Sequence, residues 1–288
     1  MPWTGPFEAG ISQSMLNKFL ICPYRFYLYA ILGLEEKQPT NQNLIWGDTF
    51  HKGLELLIKL AETPTPEDWS GIDAAVDTHL QQYVPFPATF PISIKEMLRL
   101  YDFSYKTELP PIKTEEKFVF SFHHHSFPAP IRIHGKKDGC VDNFIIEHKC
   151  KGYTDSSQAR QETPHDLQVN VYGLHTLQNE SYDSVNYLYD IIRIPDGKFT
   201  MPLRRMNQTL ANWVQSWYRS AQTSECPISQ RRHLWLDQFW FTRSREQIEH
   251  YSKFTLIPIL QRLVAWWEHV TRPSFDHNNP DHYNHIFY

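Results

Sequence analysis

Apolar residues first recur at helical spacing where Leu16, Phe19 and Leu20 follow Ser12 and Ser14. A serine there can cap the helix by accepting backbone N–H groups, and Pro23 ends or restarts it. The run from Trp46 to His51 leads into a second helix, with Asp48 or Thr49 as its cap and His51 in its first turn. Two further helical stretches, 66–83 and 93–107, are split by a proline-bearing segment at 84–92. Together they read as a helical insertion over about residues 55–110, closed by Pro110 and Pro111. The period then changes to two. Residues 117–122 alternate like a strand, and two more strand-like runs flank Asp142 and Asn143. A helix over 166–178 places Leu167, Val171 and Leu174 on one side, and 182–194 is rich in strand formers before a turn at 195–197. Residues 206–220 carry an apolar helical face, and Ser244 with Gln247 resembles a capping box opening a long last helix. The C-terminal region, about 204–271, therefore reads as helical. No internal repeat or low-complexity linker divides residues 1–288, so the pattern predicts one α/β domain.

Composition narrows the class without naming a function. A chain of 288 residues with 41% hydrophobic and 15% aromatic content can bury a large core. Its formal charge of −4 excludes a protein coated in positive charge, so any nucleic-acid contact must come from a local groove or a bound metal. The cysteines, Cys22, Cys140, Cys150 and Cys226, form no Cys-x-x-Cys pair, which favours reduced thiols and a cytoplasmic setting. The longest apolar candidate, 254–270, contains Pro258, Gln261, Arg262 and Glu268 and reads as a soluble helix, so no membrane association is expected. Oligomeric state is not legible here.

The chemistry concentrates between His134 and Lys151. If Asp142 and Asn143 close a two-residue hairpin, the register places Asp138 directly opposite Glu147. Lys149 lies two residues beyond Glu147 and points from the same face. Two carboxylates opposed across strands repel by roughly 0.2 to 1 kcal/mol unless something positive sits between them. A divalent cation is the natural occupant. Lys136, Lys137 and Lys151 could help hold a phosphate backbone, the alternative being surface lysines that are simply solvated. The triplet His123, His124 and His125 is set aside, because neighbouring strand residues point to opposite faces and cannot converge on a metal.

Several short motifs then fall in a particular order: Ser12-x-Ser14 with Cys22-Pro23-x-Arg25-Phe26, Gly47-x-x-Phe50-His51, Gly135-x-x-Asp138, Glu147-x-Lys149 and Gln168-x-x-x-Tyr172. Each is weak alone. Their conjunction over residues 11–175 resembles the PD-(D/E)XK nuclease superfamily, specifically its RecB-like exonuclease branch, which includes CRISPR-associated and AddB-type nucleases. The resemblance implies a mixed central β-sheet flanked by helices. It implies that Asp138 and Glu147 bind Mg²⁺ or Mn²⁺ with His51 and the backbone carbonyl of His148. It also implies that Lys149 positions or polarises the attacking water and scissile phosphate, and that Gln168 and Tyr172 orient DNA and support the site. A histidine ligand tilts the metal toward Mn²⁺. The function implied is a metal-dependent deoxyribonuclease, an exonuclease acting on DNA ends in recombination, repair or phage DNA processing, with a helicase or recombination protein as partner. The competing reading is a catalytically silent nuclease fold that binds DNA or protein. Many relatives hold an iron-sulfur cluster with one cysteine at the Cys-Pro position and three near the C-terminus. Only Cys226 follows the last motif here, so no cluster is expected.

Overall fold

The computed structural model describes residues 3–34, 41–60, 64–87, 90–105, 112–151, 156–194 and 236–272. The expected turn at 195–197, the helical face at 206–220 and Cys226 lie outside the described residues. Ser12 caps α1 (Gln13–Ile21), accepting the Met15 N–H, and Cys22 caps α2 (Pro23–Ala30), whose first residue is Pro23. A proline at that position loses nothing, because its missing N–H is one the helix leaves unpaired anyway. The long α3 (Gln42–Lys59) begins earlier than Asp48, because Asn41 caps it by accepting the Asn43 N–H. His51 therefore sits in the middle of α3 rather than in its first turn.

Helices α4 (Pro66–Leu80) and α5 (Phe90–Tyr105) follow within the span read as an insertion. The sheet is six-stranded: β1 (Ile11–Ser12), β2 (Lys113–Phe122), β3 (Ile131–Val141), β4 (Phe144–Lys151), β5 (Ser184–Arg193) and β6 (Leu236–Ser244). Between β4 and β5 run α6 (Ser156–Glu162) and α7 (Leu167–Thr176), and after β6 come α8 (Arg245–Tyr251) and α9 (Ile257–Val270). The Ser244 and Gln247 capping box forms as expected. The region read as wholly helical thus also contributes β6, antiparallel to β5. The histidine triplet lies in the β2–β3 connection rather than in a strand.

Pairing along β3 fixes where the site can form. On one edge β3 pairs antiparallel with β2 over most of its length. The other edge is shared: β1 pairs parallel as far as His134, and β4 pairs antiparallel from Gly139 to Val141. Residues 135–138 face a gap between those two partners. The hairpin register matches the sequence reading, with Val141 opposite Phe144, Cys140 opposite Ile145 and Gly139 opposite Ile146. Asp142 takes a left-handed φ of 49°, as the first position of such a turn demands.

Alternation along β4 and β5 then sorts side chains to the two faces. Ile145, Tyr187, Tyr189 and Ile191 pack with α1, α2, α7 and α9, whereas Ile146, Leu188 and Ile192 pack with α3, α4 and α5. A sheet buried on both faces by helices accounts for the near-continuous apolar run of β5, which is parallel to β4.

Candidate active site

The gap on β3 is where the hairpin strands part. Pairing stops at Gly139 and Ile146, and the Asp138 carboxylate instead accepts the His148 N–H at 2.9 Å. Asp138 and Glu147 follow as the next residues in register, outside the ladder. Two side chains of α7 close the opening. Tyr172 donates its hydroxyl to the Lys136 carbonyl at 2.5 Å and accepts from Gln168 Nε2 at 3.1 Å. Gln168 Nε2 also donates to Glu147 Oε2 at 2.7 Å, while Gln168 Oε1 accepts from Lys149 Nζ at 2.9 Å. The amide cannot be reversed without setting its NH₂ against the ammonium and its oxygen against the carboxylate. Its i, i+4 partner is therefore more than a helix-face neighbour. Gly135 is required here, since a Cβ would meet the Phe118 ring at 2.6 Å and the Tyr172 ring at 3.1 Å.

Lys149 Nζ lies 3.2 Å from Glu147 Oε2, so Glu147 and Lys149 share a face as the period-two reading requires. Two of the three ammonium donors are thereby used, and Lys149 also lines the adjoining cleft. Burial, the largest single influence, would drive the Lys149 pKa down, but Glu147, Tyr189, Asp138 and Tyr172 together outweigh it and hold the pKa raised. Glu147 is fully buried, and burial, reinforced by the Asp138 charge, pushes its pKa up to about 8. Its Oε1 has no hydrogen-bond partner. An orphaned oxygen on a buried carboxylate is costly and calls for a cation.

Asp138 looks the other way as well. His51 Nδ1, delivered by α3, stands 3.8 Å from Asp138 Oδ2. Burial opposes the Asp138 charge, yet His51, Lys149 and the His148 N–H together hold its pKa below the usual carboxylate value. Helix α3 comes this close because Gly47 rests on Cys150 of β4, where a Cβ would approach the cysteine Cβ to 3.2 Å.

A third carboxylate completes this group. Ligand atoms of His51, Glu115 and Asp138 all lie within 4.8 Å of one another, and Glu147 is not part of that set. Glu115 belongs to β2, where the ladder passes from Thr114–Gly139 to Glu116–Lys137 and leaves Glu115 unpaired opposite Asp138. Its φ of 55° is left-handed, a conformation that costs a non-glycine residue on the order of 1 kcal/mol or more. Glu115 also forms an ion pair with Lys136. The sequence reading misses it because it starts the strand at Lys117, four residues too late. The adjacent Glu115 and Glu116 at the head of that strand were the available signal.

The remaining candidates divide. His148 is buried, and its imidazole points to the α3–α5 face, with Nε2 3.0 Å from the Tyr101 hydroxyl and 3.4 Å from Asp190 Oδ2. Burial holds its pKa down to about 3, so the ring is neutral. Tyr101 donates to Asp190 at 3.2 Å, which casts His148 Nε2–H as donor to Tyr101. With the ring committed to these partners, the backbone is the part of His148 left for the metal side. Lys136 lines the cleft beside Lys149, whereas Lys151 is exposed at the end of β4 and does not. Cys22 caps α2, Cys140 donates to Glu116 at 2.9 Å, and Cys150 lies under Gly47, so the three described cysteines have separate local roles.

The His51, Glu115 and Asp138 group fits a hard divalent cation, with carboxylate oxygens and one imidazole nitrogen, and outside that group stands a buried Glu147 oxygen lacking any partner. Beside it stands an ammonium held by a carboxylate and an amide. A family model of the PD-(D/E)XK nuclease superfamily matches residues 10–233, well over half of the chain. A search of curated proteins finds no match.

Proposed function

The chain belongs to the PD-(D/E)XK nuclease superfamily, and from that we propose that it is a divalent-metal-dependent deoxyribonuclease that works from DNA ends. Among the described residues no helix is long and apolar enough to cross a membrane. The observation that carries the reading is the placement of Lys149 between Glu147 and Gln168, next to the His51, Glu115 and Asp138 cluster. A structural ion pair needs no such neighbours.

In this reading His51, Asp138 and Glu147 hold Mg²⁺ or Mn²⁺, with Glu115 and the His148 backbone carbonyl as further donors. The bound metal supplies a more acidic water and neutralises charge on the phosphodiester. The protein's own contribution is separate. Lys149 directs its remaining N–H toward the phosphate oxygen or the attacking water, where negative charge grows as the new P–O bond forms and the bond to the leaving oxygen breaks. Gln168 and Tyr172 fix Lys149 through hydrogen bonds that need no rearrangement during reaction. Lys136 beside the site, and Lys151 at the strand end, serve the flanking phosphates. The end-directed activity and a role beside a helicase or recombination protein follow from the RecB-like motif order, not from the site chemistry.

The test is incubation of the purified protein with end-labelled linear DNA and with closed circular DNA, in Mg²⁺, Mn²⁺ or EDTA. The reading requires metal-dependent loss of linear DNA with the circle spared, and Lys149→Ala reduced to background. A folded protein that cuts neither DNA in any metal is the silent module instead.

A further inference from the structure

Side chains of β2 and β3 change faces at Glu115 and Asp138. On one side of that point the period of two holds. Phe118, Phe120, Ile131 and Ile133 pack on the α7 side of the sheet, and a Cβ on Gly135 would meet Phe118 and Tyr172 there. Lys137 continues the series, donating to Thr176 Oγ1 of α7 at 3.0 Å. Alternation would send Gly139 the same way, yet a Cβ at that position would meet Ile112 and Ile146, which pack on the α3–α5 side. The partner strand does likewise: Glu116 lies beside Lys137, whereas Ile112, four residues earlier, is on the other face. Register is the same on both sides of the change, with Thr114 opposite Gly139 and Glu116 opposite Lys137, so the two strands turn over together. The left-handed φ of Glu115 marks the turning point. Irregular pairing beside a functional site re-aims side chains, and here it lets both Glu115 and Asp138 reach His51 of α3.

Three polar side chains meet on the α7 face across that point. Lys137 Nζ lies 3.7 Å from Glu116 Oε2, and the same oxygen accepts the Cys140 thiol at 2.9 Å. Lys137 and Cys140 are three residues apart, a spacing that regular alternation would put on opposite faces. Thr176 gives its own hydroxyl proton to the Tyr172 carbonyl at 3.0 Å, which leaves its lone pairs to the Lys137 ammonium. Lys137 is only 3% exposed, so it does not serve the phosphate backbone that its place in the sequence suggested. An aliphatic side chain would fill the same space without desolvating a charge, so packing does not account for a lysine here.

We propose that Lys137, Glu116 and Cys140 are positioning residues for the cation site: gathered on the α7 face, they hold β2 and β3 in the turned-over conformation that sends the Glu115 carboxylate to His51 and Asp138. None of the three belongs to the group of possible ligands. Their effect runs through the backbone. A left-handed φ is unfavourable for glutamate, so a β2 released from this clamp returns to the extended conformation and carries Glu115 away from the other two ligands. The inference rests on the reading of His51, Glu115 and Asp138 as cation ligands.

The experiment measures Mn²⁺ binding to the full-length protein by electron paramagnetic resonance of free Mn²⁺, with urea midpoints recorded alongside. Lys137→Met is expected to weaken binding by about tenfold, the lower bound for loss of an outer-shell partner. Glu115→Gln combined with Lys137→Met is expected to bind no more weakly than Glu115→Gln alone, because both act on one carboxylate. A purely structural lysine would lower the urea midpoint and leave Mn²⁺ affinity unchanged. Wild-type affinity in Lys137→Met, or losses that multiply in the double variant, overturns the proposal. Should Lys137→Met fail to fold, the Cys140 variants decide: Cys140→Ala is expected to weaken binding, and Cys140→Ser, which keeps a donor for Glu116, to restore it. Equal affinity in those two overturns the proposal as well. A wild-type protein that binds no Mn²⁺ removes the cation reading and the clamp with it, whereas wild-type binding with every variant unaffected removes the clamp alone.

Discussion

Tyr172→Phe tests whether the gap on β3 is closed by a side chain. The substitution removes one oxygen and leaves the ring, which is packed edge-on against Phe118 with centroids 5.3 Å apart. No cavity larger than a hydroxyl results. Two hydrogen bonds go with it: the one to the Lys136 carbonyl at 2.5 Å and the one from Gln168 at 3.1 Å. A neutral hydrogen bond contributes about 0.5 to 1.5 kcal/mol net, so the pair sets an expected loss of about 1 to 3 kcal/mol. The lower half of that range is favoured, because both bonds are only partly buried and Gln168 keeps its bond to Glu147. The assay is urea unfolding followed by tryptophan fluorescence, with the midpoint falling and the slope unchanged. Cleavage is expected to slow less than in Lys149→Ala, because the ammonium remains while its amide partner loosens. A midpoint equal to wild type would refute the view that the hydroxyl substitutes for a missing strand neighbour.

Three other outcomes follow from the same geometry. The Glu147 pKa is raised in the folded state, by burial first and by the Asp138 charge second, from 4.5 to about 8. Its contribution to the stability of the metal-free protein is therefore fully present below about pH 4.5 and lost as the pH climbs through about 8; urea midpoints in EDTA should decline across that range, and Glu147→Gln should flatten the decline. Glu115→Gln should weaken Mn²⁺ binding, measured by electron paramagnetic resonance of free Mn²⁺, by at least about tenfold, the lower bound for loss of even an outer-shell partner; undiminished affinity would show that its left-handed backbone serves something other than the cation. Tyr101→Phe should cost about 1 to 3 kcal/mol of stability by removing the two hydrogen bonds that Tyr101 makes with buried His148 and Asp190, at about 0.5 to 1.5 kcal/mol each, and Mn²⁺ affinity should fall with it if the anchored ring holds the His148 backbone in place; affinity unchanged in a destabilised variant would make the trio purely structural.

What could be read beforehand followed from local rules. The hairpin register needed only a two-residue turn and a period of two, and it placed Glu147 and Lys149 on one face as the ion pair now shows. Ser12, Pro23 and Ser244 announced helix starts because capping and the first helical position depend on a few adjacent residues. The failures involve pairings distant in sequence or competing local signals. Nothing in a two-residue strand such as β1 reveals that it lies beside Ile133 and His134, more than a hundred residues on. Without that contact, the gap that Tyr172 fills cannot be foreseen. Asp48 and Thr49 looked like a cap because Trp46 and Gly47 precede them, whereas Asn41 starts the helix and Gly47 serves contact with Cys150. Glu115 is missed for a different reason: the polar run from Lys113 to Lys117 has no apolar alternation to mark it as strand, and the adjacent pair of glutamates is the one signal it offers.

The expectation that Asp138 and Glu147 simply face each other is replaced by a division of labour across the sheet. Beyond Gly139 the two carboxylates leave the ladder, and each finds its own set of neighbours. Glu147 turns to α7, where Gln168 and Lys149 hold one oxygen and leave the other unpaired. Asp138 turns to His51 of α3 and Glu115 of β2. Between them, His148 supplies its N–H to Asp138 on the reaction side and anchors its neutral ring to Tyr101 and Asp190 on the other. Alternation along β4 therefore separates groups with opposite needs: the ionisable pair at 147 and 149 faces α7, with Lys149 reaching the open cleft, and the uncharged ring at 148 is buried among apolar helices. A break in strand pairing is what lets both helical layers reach one point, α3 with an imidazole and α7 with an amide. A continuous ladder through residues 135–138 would satisfy the backbone and leave no opening for either.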